Sequence, residues 1–206
     1  MNETQRQSLL RAIAISSGTA GFTTPQQRSD AFTNLEQFKA FPGRVASCVE
    51  MIGCSSLQIS EGGNAATLDV TVPGKLYALG VIQKFLKVGY TGLNESDRVQ
   101  LRLSIVLAAR QLAMPITESY TNINDSTRIL ATKIAVLLAD LALRDFPQRW
   151  TTFVADLFGG IWCEAGSENE GNAIGIKICL ECLKLVIEDC TDSDYNARVS
   201  VTLSYQ

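Results

Sequence analysis

The chain has 206 residues, 46% of them hydrophobic, and a formal net charge of −3. This composition excludes general disorder and is sufficient for one domain with a sizeable core. The sequence contains no histidine, which excludes Ser-His-Asp and Cys-His nucleophiles and every metal site that needs an imidazole ligand. The acidic excess lies after residue 166, and neither part of the chain has the basic stripe that autonomous nucleic-acid binding requires.

The six cysteines are interpreted as reduced thiols of a cytosolic or nuclear protein, because the polar N-terminus, MNETQRQ, is unlike a signal peptide. Cys179 and Cys182 have the spacing of a redox or zinc pair. No second pair follows at a suitable distance, so packing on one helical face is the preferred interpretation. We therefore expect no metal and no cofactor. No apolar run approaches the roughly 20 residues of a membrane span, so we expect no membrane insertion.

In the first quarter of the chain, apolar spacing predicts helices over 2–16, about 25–39 and 45–52. Thr24 is a suitable N-cap and Pro25 suits the first helical position of the second helix. The sequence FPG ends that helix. Three short helical segments are thus expected before the composition changes.

Residues 53–74 are rich in Gly, Ser and Thr and show no helical period. Leu68, Val70 and Val72 alternate, which is compatible with a short strand, but no partner strand is evident. The segment is interpreted as a long, flexible surface loop. It could be a binding element or a tolerated insertion.

Helical patterns resume and predict helices over 75–88, 96–113, 125–145, 148–165 and 173–188. The eight predicted helices form pairs that recur at roughly 40–50 residues. This is typical of an all-α fold, an α-solenoid of stacked antiparallel helix pairs of the HEAT or ARM type. An ordinary helical bundle would show a similar pattern.

The sequence RDFPQRW, which ends at Trp150, separates two of the long helices. Pro147 removes a backbone donor and disfavours helix at Phe146, so the preceding helix must stop there. Trp150 opens an apolar stripe in the next helix. Pro147 and Trp150 are therefore predicted to form a structural joint with the indole buried between helices.

Asp140 and Asp145 lie near each other on the helix that precedes this joint. We expect them on a solvated face or in an ion pair with Arg144 or Arg149, not in acid–base catalysis.

The last predicted helix is apolar on more than one side, so its isoleucines and leucines cannot all face the preceding pair. We expect the remaining patch to be exposed and to drive self-association.

The run KIAVLLADLALRDFPQRWTTFVADLF resembles the N-terminal region of the karyopherin-β exportins, in which a Pro-Gln-x-Trp sequence joins two helices. The segments QQRSDAFTNLEQFKAFP, YALGVIQKFLKVGYTGL and RVQLRLSIVLAARQLA follow the order of that family's helices. The exportin-5 class is the nearest match. The resemblance covers roughly residues 1–165 and fades after 166. It implies a single solenoid domain over 1–206 that belongs to a longer superhelix.

The resemblance further implies a nuclear export receptor, not an enzyme, that shuttles between nucleus and cytoplasm. Its partners would be the GTP form of the small GTPase Ran, FG-repeat proteins of the nuclear pore, and RNA or protein cargo. The second helices of the pairs, about 25–39, 75–88 and 125–145, would hold Ran on a concave face. Candidate Ran-binding residues on the last two of these helices are Gln83, Lys84, Lys87, Arg128, Lys133 and Asp140. A solenoid scaffold that binds another protein without Ran is the alternative.

Overall fold

The computed structural model describes residues 3–53, 56–61, 64–113, 125–162 and 173–191. These residues contain eight α-helices and two β-strands: α1 (Glu3–Ser16), α2 (Pro25–Ala40), α3 (Arg44–Gly53), β1 (Ser56–Glu61), β2 (Asn64–Asp69), α4 (Val72–Val88), α5 (Glu95–Ala113), α6 (Asp125–Asp145), α7 (Phe153–Leu157) and α8 (Ala173–Thr191). A 3-10 turn, Tyr90–Gly92, follows α4, and a π-helical turn, Phe158–Trp162, continues α7.

Helix α2 begins where local chemistry predicts. The Thr24 hydroxyl accepts a hydrogen bond from the Gln27 N–H at 3.3 Å, and the Gln27 side chain accepts one from the Thr24 N–H at 2.9 Å. This reciprocal capping box satisfies two backbone donors at the helix start, and Pro25 occupies the first turn. The helix ends before Phe41, which adopts an extended conformation. The predicted capping residues of α2 are confirmed.

The helices stack as pairs in two layers. Helix α1 packs against α2, α3 against α4, and α8 against α6 and the π-helical turn. Along one layer α4 contacts α6 and α6 contacts α8, whereas along the other α3 contacts α5 and α5 contacts the π-helical turn. The predicted all-α solenoid of stacked helix pairs is thereby confirmed. Among the described helices, none combines the length and apolarity that a bilayer crossing requires.

The interpretation of 53–74 as a loop without a strand partner was wrong. Strands β1 and β2 form an antiparallel hairpin in which Ser56 lies opposite Asp69 and Glu61 lies opposite Asn64. The partner of β2 is therefore the segment immediately before it. In the sequence, Gly62 and Gly63 separate the two strands, and a Gly-Gly pair favours two-residue hairpins. Helix α4 also begins earlier than expected, at Val72.

The joint departs from the prediction in one respect. Helix α6 ends at Asp145, as expected, but turns fill 146–149 and the next helix begins at Phe153 instead of residue 148. The Phe146–Pro147 peptide bond is cis. Trp150 therefore lies in the turn that precedes the helix. Residues 163–165 of the predicted helix lie outside the described residues.

The π-helical turn lies close to α5. A Cβ placed on Gly160 would lie 2.9 Å from the Val106 Cγ1 atom, so only glycine permits this approach without movement of the valine. Gly160 therefore permits the close packing of this turn against α5. The apolar stripe of the predicted helix is not continuous in the core, because Val154 is exposed.

The core extends through both layers and is densest around α6. This helix is buried on most of its circumference because α4, α5 and α8 all pack against it. Its buried residues are Leu130, Ala131, Ile134, Ala135, Leu137, Leu138, Ala139, Leu141, Ala142 and Asp145.

Helix α8 has two apolar sides. Ile178, Cys179 and Cys182 are fully buried, whereas Leu180 is 53% exposed and Ile187 is 60% exposed. Among the described residues, the preceding helices therefore leave part of the apolar surface of α8 uncovered, as expected.

Candidate functional site

The candidate Ran-binding residues lie on α4 and α6, which pack side by side. Gln83 donates a hydrogen bond from Nε2 to Asp140 Oδ2 at 3.4 Å, and both residues are half-buried. This contact joins the two helices. The structure therefore brings together Gln83 and Asp140, two members of the predicted set that lie 57 positions apart in the chain.

The four basic members of the set, Lys84, Lys87, Arg128 and Lys133, are all exposed. None of them forms an ion pair with another described residue. Within the described part of the chain, no carboxylate neutralises these four positive charges. Such side chains are available to an acidic partner.

A groove that the sequence did not predict lies beside this face. It has a volume of about 500 Å³ and is bordered by the end of α2, the start of α3 and one side of α4. We call it the α4 groove. Its lining residues are Lys39, Arg44, Tyr77, Gly80, Val81, Lys84, Phe85, Val88 and Gly89.

The α4 groove is basic. It contains two lysines and one arginine but no carboxylate among its lining residues. Lys39 pairs with Glu36 on the preceding turn of α2. The Arg44 guanidinium donates to the Phe41 carbonyl at 3.0 Å and lies 5.7 Å from the centre of the Phe85 ring. These two contacts hold Arg44 in a defined orientation.

Tyr77 fixes one wall of the groove. Its hydroxyl donates to the Leu35 carbonyl at 3.1 Å and so links α4 to α2. Burial, together with the charges of Cys48 and Glu36, raises the pKa of Tyr77 to about 12. The phenol therefore remains protonated at neutral pH and keeps its donor.

Gly80 lies in the interior of α4 and lines the same groove. Glycine in a helix interior costs about 1 kcal/mol relative to alanine. Close packing usually explains such a residue, but a Cβ at this position would have no atom within 4 Å. Nothing in the described fold therefore requires glycine here. A mid-helix glycine is the one sequence signal that could have pointed to this groove.

A second groove, of about 770 Å³, lies between α3 and α5 in the other layer. Its surface is mainly apolar, with contributions from Val45, Val49, Leu101 and Leu107. Leu107 is exposed.

The most completely buried polar cluster lies at the joint. Asp145, at the end of α6, is fully buried. Its Oδ2 atom accepts a hydrogen bond from Arg102 Nη1 at 2.6 Å and a second from the Tyr90 hydroxyl. Arg102 is 5% exposed and also donates to Glu95 at 3.2 Å, and Arg149 lies 3.7 Å from the other carboxylate oxygen. Of the two alternatives expected for Asp145, the ion pair with Arg149 is the one observed, and Arg102 of α5 is a further partner that the sequence did not indicate.

Trp150 closes this cluster. Its backbone N–H donates to the Asp145 carbonyl at 3.0 Å, and its indole Nε1 donates to Asp156 Oδ2 at 2.7 Å. The ring packs edge-on against Phe153, at 5.0 Å between centroids, and the Arg102 guanidinium lies 5.7 Å from the ring centre. The indole is 4% exposed, as the sequence predicts. The joint therefore combines an ion pair, a helix end and an aromatic anchor.

This cluster is structural. Burial, with the hydrogen bond to Asp145 and the charge of that carboxylate, raises the pKa of Tyr90 above its ordinary value. A neutral phenol and a paired carboxylate without access to solvent offer no surface to a substrate. They connect the 3-10 turn and α5 to the end of α6.

The cysteine pair of α8 belongs to the core. Cys179 and Cys182 are both fully buried, and the Cys179 thiol contacts the Leu157 carbonyl at 3.3 Å. Burial raises the pKa of Cys182 to about 12, so it is an unreactive thiol at neutral pH. Across the described ranges, no group of three side chains that could ligate a metal comes together.

Residues 127–202 match a family model described as Exportin 1-like protein. The matched range is a little over a third of the chain and includes the joint. It extends beyond residue 166, where the resemblance to exportins was expected to fade, so that expectation was wrong. No curated protein and no solved structure matches the chain. From α6 through α8, then, the chain is similar to exportin 1-like proteins, and this similarity supports a karyopherin-like family.

Proposed function

We propose that the chain is part of a nuclear transport receptor that binds the GTP form of Ran and contributes to the export of RNA or protein cargo. The observation that carries the proposal is the match of residues 127–202 to exportin 1-like proteins. The exportin-5 class, with shuttling between nucleus and cytoplasm, is the narrower form of the proposal and rests on the order of helices in the sequence. Such a receptor acts by binding, and no catalytic group is assigned to it.

The surface formed by α4 and α6 is proposed to hold Ran. Its support is the adjacency of these helices, fixed by the contact between Gln83 and Asp140, and the exposed cations Lys84, Lys87, Arg128 and Lys133 around it. The apolar groove between α3 and α5 is proposed to contact FG-repeat proteins, because it lies in the other layer and is mainly apolar. The two partners would then occupy different faces.

The test compares binding of Ran loaded with a non-hydrolysable GTP analogue and Ran loaded with GDP, measured by isothermal titration calorimetry. We expect binding of the GTP form alone. Lys84→Glu combined with Lys133→Glu should weaken it by about fivefold or more, since each reversal removes one attraction and adds one repulsion. Arg11→Glu, an equally exposed reversal on α1, is the matched control and should leave the affinity unchanged.

A scaffold without a role for Ran is the second candidate, because the two grooves are suited to protein segments in general. Equal affinity for the two nucleotide states, or an equal effect of the α1 control, would favour that candidate over the transport receptor.

A further inference from the structure

We propose that the α4 groove binds a short, extended, acidic segment of a partner protein. This goes beyond the binding of Ran, because the groove is a separate surface that shares only Lys84 with the proposed Ran-binding residues. Binding of the acidic segment depends neither on the nucleotide bound to Ran nor on other parts of a transport receptor.

The charge of the groove specifies an acidic occupant. Cations reach it from three elements: Lys39 from α2, Arg44 from the start of α3 and Lys84 from α4. Lys39 is already paired with the neighbouring carboxylate of Glu36, so Arg44 and Lys84 supply the groove's uncompensated charge. Lys84 forms no ion pair with any described residue, so an incoming carboxylate would not have to displace another. Arg44 is held by the Phe41 carbonyl and the Phe85 ring, which reduces the entropy lost on binding.

Because Gly80 has no side chain, a bound segment can come close to the backbone of α4 at this position. Glycine is disfavoured relative to alanine inside a helix, and the fold makes no use of the space above this residue. A segment lying across α4 at this point could contact the helix backbone directly. That requirement explains a glycine that packing within the chain does not explain.

The shape of the groove favours an extended segment with an apolar side chain. An α-helix is about 10–12 Å across with its side chains, so 500 Å³ has room for only about one helical turn. Val88 is 78% exposed and lies beside Val81 and Phe85 at the edge of the groove. A leucine or similar residue within the acidic segment would cover it.

The probe is a fluorescein-labelled nonapeptide of aspartate and glutamate with a central leucine, and its binding to the intact chain is measured by fluorescence anisotropy. A peptide of the same length in which asparagine and glutamine replace the acids is the comparison. We expect only the acidic peptide to bind, with an affinity that falls as salt is raised. Lys84→Glu should weaken binding by about fivefold, whereas Lys87→Glu, on the same helix but outside the groove lining, should have a clearly smaller effect.

Gly80→Gln is the decisive variant, and Gly80→Ala is the milder form of it. Both replace glycine by a stronger helix former in open space, so the Tm should rise by about 2–4 °C. Binding of the acidic peptide should nevertheless weaken by at least about fivefold for Gly80→Gln, because the new side chain fills the groove. A protein that is stabilised and binds the peptide with unchanged affinity would overturn the proposal. So would equal effects of the reversals at Lys84 and Lys87, or an absence of binding by the unsubstituted chain.

The same variants separate this proposal from that for Ran. Lys133→Glu on α6, which does not line the groove, tests the Ran surface alone. Gly80 lies one turn before Lys84 on α4, so the acidic peptide, and not Ran, is the readout for Gly80→Gln. Absence of Ran binding with peptide binding retained would remove the Ran proposal and leave the proposal of an acidic segment standing. Failure of the peptide arm alone would remove the groove proposal and leave the transport proposal standing.

Discussion

The Arg102 guanidinium lies 2.6 Å from the Asp145 carboxylate, and both side chains are removed from solvent. The pair connects the middle of α5 to the last residue of α6, where the chain turns into the joint. Tyr90 donates to the same carboxylate oxygen. Three segments of the solenoid are therefore held by one buried acid, and the loss of either charge leaves the other without a partner.

We expect Arg102→Met to lower the free energy of unfolding by about 3–5 kcal/mol, because the buried Asp145 would lose its main cation. Replacement of both residues, Arg102→Met with Asp145→Leu, should recover part of this loss. Urea denaturation followed by circular dichroism measures both. The matched control is Lys184→Met, which removes the cation of an exposed pair with Glu188 and should cost under about 1 kcal/mol. Equal losses for the buried and the exposed pair would contradict the structural role of the cluster.

Trp150→Ala should lower the free energy of unfolding by about 3–5 kcal/mol, because it removes a buried indole from the joint. Trp150→Phe keeps a ring against Phe153 but loses the donor to Asp156, and should cost about 1–2 kcal/mol. In a Trp162→Phe background, Trp150 is the sole tryptophan, and its accessibility to acrylamide can be measured with selective excitation of the indole. Strong quenching in the native state, or a loss below about 1 kcal/mol for the alanine variant, would show that the joint is loosely packed.

Stability should decline on the alkaline side. Burial raises the pKa of Cys182 from 9.0 to about 12 in the folded chain. Below pH 9 this thiol is protonated in both the folded and the unfolded chain, so it does not make the free energy of unfolding depend on pH. Between pH 9 and 12 the unfolded chain loses the proton and the folded chain keeps it, so the free energy of unfolding falls by up to about 1.4 kcal/mol per pH unit.

Cys182→Ala should reduce the alkaline slope while lowering the stability at neutral pH through loss of a buried side chain. The measurement is urea denaturation at pH 7, 9 and 10.5. Cys190→Ala provides the control, because Cys190 is only half-buried. A slope that is the same in all three proteins would show that the Cys182 thiol titrates normally in the folded state.

The uncovered side of α8 should cause self-association. Ile176, Leu180, Leu183 and Ile187 recur at helical spacing beside the buried face, and the second and fourth of them are more than half exposed. Leu180→Glu should shift the chain toward the monomer in sedimentation measured at several concentrations. Lys177→Glu changes charge on the polar side of the same helix and serves as the control. A chain that is monomeric at every concentration before substitution would contradict the prediction.

Local chemistry determined much of the helical framework. Thr24 and Pro25 begin α2 because capping and the fixed φ of proline act over a single turn, and Pro147 ends α6 because its ring excludes helix at the preceding residue. The burial of Trp150 was also predictable, since a large aromatic next to such a corner has few other places to pack. Apolar spacing identified all eight helices of the described chain. The ends differ by a few residues except in α7, which begins at Phe153 instead of residue 148 and gives way to a π-helical turn at Phe158.

Tertiary structure decided how Asp145 is used. Its sequence neighbourhood offers Arg144 and Arg149, yet its principal partner is Arg102, 43 positions away on another helix. Tertiary structure also decided the hairpin. The alternating apolar residues that begin in β2 indicated a strand, but they did not show that β1 is its partner. Pairing and burial depend on which surfaces meet, and a helical or alternating pattern reports only that a surface is apolar.

The α4 groove shows the difference most clearly. Apolar spacing alone predicts that α4 is a helix, with lysines on its polar side and a glycine in its interior. Only the tertiary structure places Lys39 and Arg44 beside Lys84 and leaves the space above Gly80 open. The reason is that helix formation follows from interactions three or four residues apart, whereas a groove is created by the distance and angle between helices, which the packing of the whole core sets.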